Sequence, residues 1–184
     1  ALLLTGKVVK RSDVSGNILK DSLKKLVERS GEPVIRQAMS QAMKILGRQF
    51  VMAETIEKAL NRAKKWEAKG YAYSYDMLGE AAKTDQDSDY YFAEYTDAIK
   101  SIASVAKSGS FAELRTNPGI SIKLSALEAR YELGKKDRVY TNLIARLRQL
   151  CIMAMNANIG LTVDAEESYR LDLSLDIFEQ VFKD

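Results

Sequence analysis

The sequence has no histidine, one cysteine, two prolines and one tryptophan in 184 residues, and these scarcities narrow the chemistry open to it. Without histidine there is no imidazole to serve as general base, pH switch or metal ligand. Cys151 stands alone, so an internal disulfide and a paired-thiolate metal site are both excluded. Its neighbours Leu150, Ile152 and Met153 make it read as a small buried hydrophobe, at home in a reducing cytoplasm. No GxGxxG or P-loop glycine pattern occurs. No apolar run has the length to cross a bilayer, and Ala1-Leu2-Leu3-Leu4 is too short for a signal peptide. The missing initiator methionine leads us to expect a fragment or a processed product.

What is present suits an ordinary globular chain. Close to half the residues are apolar and more than a quarter are charged, enough for one domain with its own core. The net charge is +3 and the two signs look interspersed, so no nucleic-acid contact through this segment is expected. The pairs Lys24-Lys25, Lys64-Lys65 and Lys135-Lys136 read as solvated surface.

Periodicity divides the chain near residue 70. Ile18, Leu19, Leu23, Leu26 and Val27 recur at helical spacing until Gly31, and Pro33 suits the first turn of a second helix. That helix would bury Ile35, Ala38, Met39, Ala42, Met43, Leu46 and Phe50. A third would carry Ile56, Leu60, Ala63 and Trp66 on one stripe before Gly70. From Tyr71 the period changes to two, with Tyr71, Tyr73, Tyr75 and Met77 marking a strand through Leu78.

Thr84 or Asp85 can cap the next helix, whose stripe is Tyr91, Phe92, Tyr95, Ile99, Ile102 and Val105. Asn117-Pro118-Gly119 turns the chain into a strand over Ile120 to Leu127. A helix from about Val139 to Asn156, a strand at Ile159 to Val163 and a helix with Leu171, Leu175, Phe178 and Phe182 on one face complete the pattern. This order predicts an α/β fold: a helical lead-in over 1–70, then the first three βα units of a parallel (β/α) barrel over 71–184. A closed barrel takes about 250 residues, so other strands must complete it.

In such folds chemistry collects where strands end. The first strand ends in Asp76-Met77-Leu78-Gly79-Glu80, the second carries Lys123 and Ser125, and the third ends in Asp164-Ala165-Glu166-Glu167. Lys123 lies in an otherwise buried strand, so its ammonium must reach the barrel mouth or a partner, and Asp164 is the obvious one. Spacing does not decide between a pair that only closes the mouth and one that works in catalysis. For Glu80 helix-start capping competes with function, for Asp76 a strand-end hydrogen bond does, and Ser125 reads as packing.

Several motifs carry a resemblance. The stretch Tyr75-Asp76-Met77-Leu78-Gly79-Glu80-Ala81-Ala82, the strand Gly119-Ile120-Ser121-Ile122-Lys123-Leu124-Ser125-Ala126-Leu127, and Asp164-Ala165-Glu166-Glu167 with Arg170-Leu171-Asp172-Leu173-Ser174-Leu175 resemble, in order and separation, motifs of proline dehydrogenase. Gly31-Glu32-Pro33-Val34-Ile35-Arg36, Gln49-Phe50-Val51 and Glu54-Thr55-Ile56 resemble the helical lead-in of the bacterial bifunctional proline utilization A family. The likeness runs from about Ser22 onward.

It implies a distorted barrel that holds FAD, takes hydride from the ring carbon beside the nitrogen of L-proline to give pyrroline-5-carboxylate, and passes electrons to membrane quinone. It further implies that the enzyme is cytoplasmic, with peripheral contact at the inner face of the membrane. By this resemblance Lys123 holds the substrate carboxylate, Asp164 lies beside flavin and substrate, Glu80 orients a carboxylate-binding arginine, and Asp76 belongs to the same strand-end group. Lys123 and Asp164 are then also the residues expected at the cofactor.

The sequence also departs from the family. Glu128-Ala129 stands where His-Pro usually precedes Arg-Tyr, which puts the loop geometry in question. The later barrel half, with its paired arginines, the amino-terminal DNA-binding segment and an aldehyde dehydrogenase domain are read as absent, so the isolated chain is expected to be weak or inactive. Two other readings stand beside this one. Lys123 could form an imine in a Schiff-base lyase. Alternatively, the helices from Gly16 to Gly70 could serve docking or homo-oligomerisation, with another chain completing the sheet.

Overall fold

Residues 15–107 and 114–183 are described by the computed structural model, with side chains from 33 onward. The readings of Ala1-Leu2-Leu3-Leu4, of the stripe Ile18 to Val27 and of the Lys24-Lys25 side chains lie outside the described residues. The chain divides into two units, Ala1–Glu54 and Thr55–Asp184.

In the first unit a single helix, α1 (Ser15–Phe50), continues through Gly31 and Pro33, where a break was expected. Proline inside a helix forfeits one backbone bond, at a cost of about 3 kcal/mol. The flanking runs, Leu23-Lys24-Lys25-Leu26 and Arg36-Gln37-Ala38-Met39, are strong helix formers and carry the helix across the interruption. Met39, Met43, Leu46 and Phe50, expected in a core, are exposed in this unit.

The second unit begins with α2 (Ile56–Glu67), capped by the Thr55 side chain and burying Leu60 and Ala63 while Trp66 faces out. Three short parallel strands follow in spatial order β1 (Ser74–Asp76), β2 (Gly119–Ile122) and β3 (Leu161–Val163). Tyr75 pairs with Ile120 and Ile120 with Leu161. β1 is shorter than its alternating pattern predicts. Alternation marks which residues prefer extended backbone, whereas ladder length is set by how much neighbouring strand is available, and β2 begins opposite Ser74.

Two local devices place β2. The buried Asn117 side chain accepts from the Lys107 amide at 2.9 Å and donates to the carbonyls of Lys107 and Asn158, both at 2.8 Å. Gly119 lets β2 approach β3, because a Cβ there would sit 2.9 Å from the Gly160 carbonyl oxygen.

The crossover helices are α3 (Asp85–Ala103), between β1 and β2, and α5 (Lys136–Asn156), between β2 and β3. Of the two expected caps it is Thr84 that closes α3, in a reciprocal box with Asp87. The expected long second strand is corrected: after Ile122 the chain passes Lys123 and turns into the one-turn helix α4 (Leu124–Leu127). Lys123 therefore follows its strand, and Ser125 lies in a helix. Four consecutive buried residues show no alternation, so periodicity could not tell helix from strand there.

The last helix, α6 (Leu171–Lys183), is also corrected: it buries Leu173 and Ile177, whereas Leu171, Leu175, Phe178 and Phe182 are exposed. Ile120, Ile122, Leu124, Leu127, Leu143, Leu147 and Leu150 form the packed centre beneath the strand ends. Among the described residues no helix is long and apolar enough to cross a membrane.

Candidate functional site

Parallel strands deliver their carboxyl ends to one rim, and here Asp76 closes β1, Lys123 follows β2 and Asp164 follows β3. The Asp164 amide donates to the Ile122 carbonyl at 2.9 Å, extending the ladder and setting Asp164 level with Lys123. The Lys123 amide donates to the hydroxyl of buried Tyr95 on α3 at 3.1 Å, which fixes the backbone as it leaves the sheet.

These constraints bring three of the four expected side chains together. Lys123 Nζ donates to Asp76 Oδ1 at 2.6 Å and to Asp164 Oδ2 at 2.9 Å, and the Ser121 hydroxyl donates to Asp164 Oδ1. Lys123 is the most enclosed, at 17% side-chain exposure, against 26% for Asp164 and 53% for Asp76. Burial pulls the Lys123 pKa down, but its bonds to Asp164 and Asp76 outweigh that and leave it above the ordinary lysine value. Burial likewise pushes Asp164 up, and Lys123 with Ser121 holds it below the usual carboxylate range. Desolvation raises the Tyr95 phenol, which keeps it a neutral hydrogen-bonding group.

An ammonium has three N–H donors, and two are directed to the carboxylates. The third can take an anion from the open side of the rim. One cation between two carboxylates suits a zwitterion, whose carboxylate meets Lys123 while its ammonium meets an aspartate. Among the described residues no cluster of His, Cys, Asp and Glu could hold a metal ion.

Glu80 is exposed and is not among the groups that pair with Lys123. Ser125, expected as packing, is instead hydrogen-bonded to both neighbouring strand-end loops. Ser121 and Tyr95 were missed. Ser121 alternates with Ile120 and Ile122 and so could have been placed with the rim residues, but nothing local marks Tyr95 as a partner of Lys123. The loop altered by Glu128-Ala129 is well seated. Buried Glu128 accepts from Arg138 Nε at 2.8 Å, Arg146 donates to the Leu127 carbonyl at 2.8 Å, and the buried Tyr131 hydroxyl meets Ser174 Oγ at 2.8 Å. Cys151 is half-buried and free, and burial pushes its thiol pKa up.

Comparison with known proteins finds two family models on the chain. Proline dehydrogenase matches residues 59–184, and the DNA-binding domain of proline dehydrogenase matches residues 1–50. The bifunctional protein PutA of Escherichia coli (strain K12) is 46% identical over 180 residues, covering 98% of this chain and 13% of that protein. The corresponding protein of Rhizobium meliloti is 45% identical, covering 97% of this chain and 14% of its own length. A crystal structure of a mutant Bradyrhizobium japonicum proline utilization A superposes with a TM-score of 0.66 at 43% identity, covering 87% of this chain and 16% of that one. The chain thus spans about one seventh of the length of these relatives.

The match over residues 1–50 does not fit the expectation of a segment without nucleic-acid contact, nor the reading of the DNA-binding segment as absent, and both are corrected. The overlooked signal is charge asymmetry. The first fifty residues hold ten Lys and Arg against four Asp and Glu, a net +6, while the remainder holds eighteen against twenty-one, a net −3. The whole-chain figure of +3 averages these two away.

Proposed function

The chain belongs to the proline dehydrogenase family, and from that premise we propose that its rim cluster is part of a site that oxidises L-proline to pyrroline-5-carboxylate with FAD. One observation carries the reading: Lys123, enclosed and doubly paired, stands with Asp76 and Asp164 at the carboxyl ends of three parallel strands. Lys123 holds the proline carboxylate through its remaining N–H. The aspartates keep the ammonium in place and complement the amine end of the substrate.

The rim also offers the polar edge of a flavin an acceptor, since Asp164 can take a ring N–H while the one remaining Lys123 N–H is committed to proline. FAD, when bound, supplies the acceptor for the hydride that leaves the proline ring carbon. The protein's part is to orient proline and exclude water, not to move the hydride.

The Schiff-base alternative is disfavoured by the same geometry. An imine needs a neutral amine, and two carboxylates hold Lys123 protonated. The fold is read more finely as the first three βα units of a (β/α) barrel. The exposed apolar side of α6 and the outer edges of β1 and β3 are the surfaces that further strands and helices of the barrel would cover. The net +6 of the first fifty residues supports a nucleic-acid role for the amino-terminal unit, tested by salt-dependent anisotropy with a DNA duplex.

The main reading is tested by combining the chain with the remaining barrel half and following flavin absorbance and proline-dependent dye reduction. Lys123→Ala in the reconstituted enzyme should raise KM for proline by at least about 10-fold with a smaller change in kcat, and an unchanged KM would refute the assignment.

A further inference from the structure

We propose that Glu166 is a positioning residue that, through Ser125, locks the three strand-end loops into one register and so sets the relative placement of Lys123, Asp164 and the Glu80 loop. The inference rests on the proline-oxidising reading above and adds a group that neither touches Lys123 nor lies in the rim cluster.

The three loops are joined by a continuous chain of bonds, through one residue each from the second and third and two from the first. From the third loop, Glu166 Oε2 accepts from the Ser125 amide at 3.1 Å and Oε1 accepts from the Ser125 hydroxyl. From the second loop, Ser125 Oγ accepts from the Ala81 amide at 2.9 Å, and the Ser125 carbonyl accepts from the Ala82 amide at 2.8 Å. Ala81 and Ala82 belong to the first loop. Sequence neighbours carry the register to the rim: Lys123 precedes Ser125 by two residues, Asp164 precedes Glu166 by two, and Glu80 precedes Ala81 by one.

Two features show that this linkage works against a cost. Glu166 is a carboxylate with 7% side-chain exposure. Burying such a charge is unfavourable unless its oxygens are satisfied, and here the Ser125 donors and nearby Arg170, at 3.7 Å, satisfy them. Arg170 is itself held by Glu167 at 2.8 Å and lies over the ring of Tyr131 at 5.4 Å. The second feature is backbone strain. Ala81 has φ of +51°, a left-handed conformation that costs a residue with a Cβ about 1–2 kcal/mol and persists only where the surroundings impose it. The surroundings that impose it are the two oxygens of Ser125. A structural tie alone could hold these loops at many heights, whereas this one holds them level with the ion pair. A shift of the second loop would therefore displace Lys123 from the substrate carboxylate and weaken proline binding.

The test uses the flavin-loaded enzyme reconstituted with the remaining barrel half, and its flavin-free form. Ser125→Ala and Glu166→Gln should each raise KM for proline by about 10-fold while kcat changes by less than about 3-fold, and the Ser125→Ala/Glu166→Gln double variant should add little to the worse single one. In the flavin-free protein the Ala81 amide should exchange hydrogen faster in both single variants and at the wild-type rate in Lys123→Ala. Loss of thermal stability with wild-type KM, independent multiplication of the two effects, or unchanged Ala81 exchange in Glu166→Gln would each overturn the positioning role. A wild-type KM in Lys123→Ala sinks the underlying site assignment instead. If Glu166→Gln does not fold, Ser125→Ala carries the kinetic and exchange arms alone.

Discussion

Lys123 keeps its charge against the pull of burial because two carboxylates sit within hydrogen-bond distance, and this has consequences for pH. A group whose pKa is raised on folding stabilises the protein below its unfolded pKa, near 10.4 for lysine, and loses that contribution as pH climbs through the higher folded value. Asp164 behaves oppositely: its depressed pKa contributes above about 3.9, the unfolded value, and that contribution disappears as pH falls through the folded one. Urea midpoints across pH should therefore show a plateau between these limits. Lys123→Met should shrink both limbs, since Asp164 loses the cation that depresses it; an unaltered acid limb would mean that the pair is not coupled. At Ala81, replacement by glycine should relieve the left-handed strain and leave stability unchanged or slightly higher, whereas Ala81→Val should be clearly destabilising in thermal melts.

Among the elements, α3 shows most directly how local sequence writes structure. The Thr84 hydroxyl accepts from the Asp87 amide at 3.1 Å and the Asp87 carboxylate from the Thr84 amide at 2.9 Å, and Thr84→Ala should cost about 1 kcal/mol in chemical denaturation. Such a cap is legible because donor and acceptor lie three residues apart. β2 depends instead on a distant neighbour. Gly119→Ala would press a methyl against the Gly160 carbonyl, a backbone atom that cannot swing aside, so it should destabilise the sheet more than Gly134→Ala, which meets open space. The comparison of their thermal midpoints checks this. The α6 helix was misread for a related reason: it carries apolar residues on two sides, and only packing within the unit decides that Leu173 and Ile177 go inward.

For the whole molecule, the division after Glu54 separates a basic amino-terminal unit from an acidic one that holds the parallel sheet and the rim cluster. Limited proteolysis should cut first between Phe50 and Thr55, where irregular backbone separates α1 from α2, and leave a resistant carboxyl-terminal fragment. Earlier cleavage within Asp85–Ala103 would contradict the burial of Tyr95, Ile99 and Ile102. The alternation of strand and helix, the capping signals and the convergence of Lys123, Asp164 and Asp76 could be read without coordinates, because each follows from residue period or from the rule that parallel strands present their ends together.

The amino-acid order by itself determined the α/β class, the alternation of strands with crossover helices after residue 70, and the location of the ionisable groups at strand ends, which depend on local periodicity and on parallel pairing. Tertiary structure alone decided that β2 stops at Ile122, that Ser125 joins Glu166 rather than filling space, that Tyr95 supports Lys123, and which side of α6 is buried. These outcomes depend on atoms far apart in the chain that meet only when the sheet assembles, and no local pattern encodes that distance.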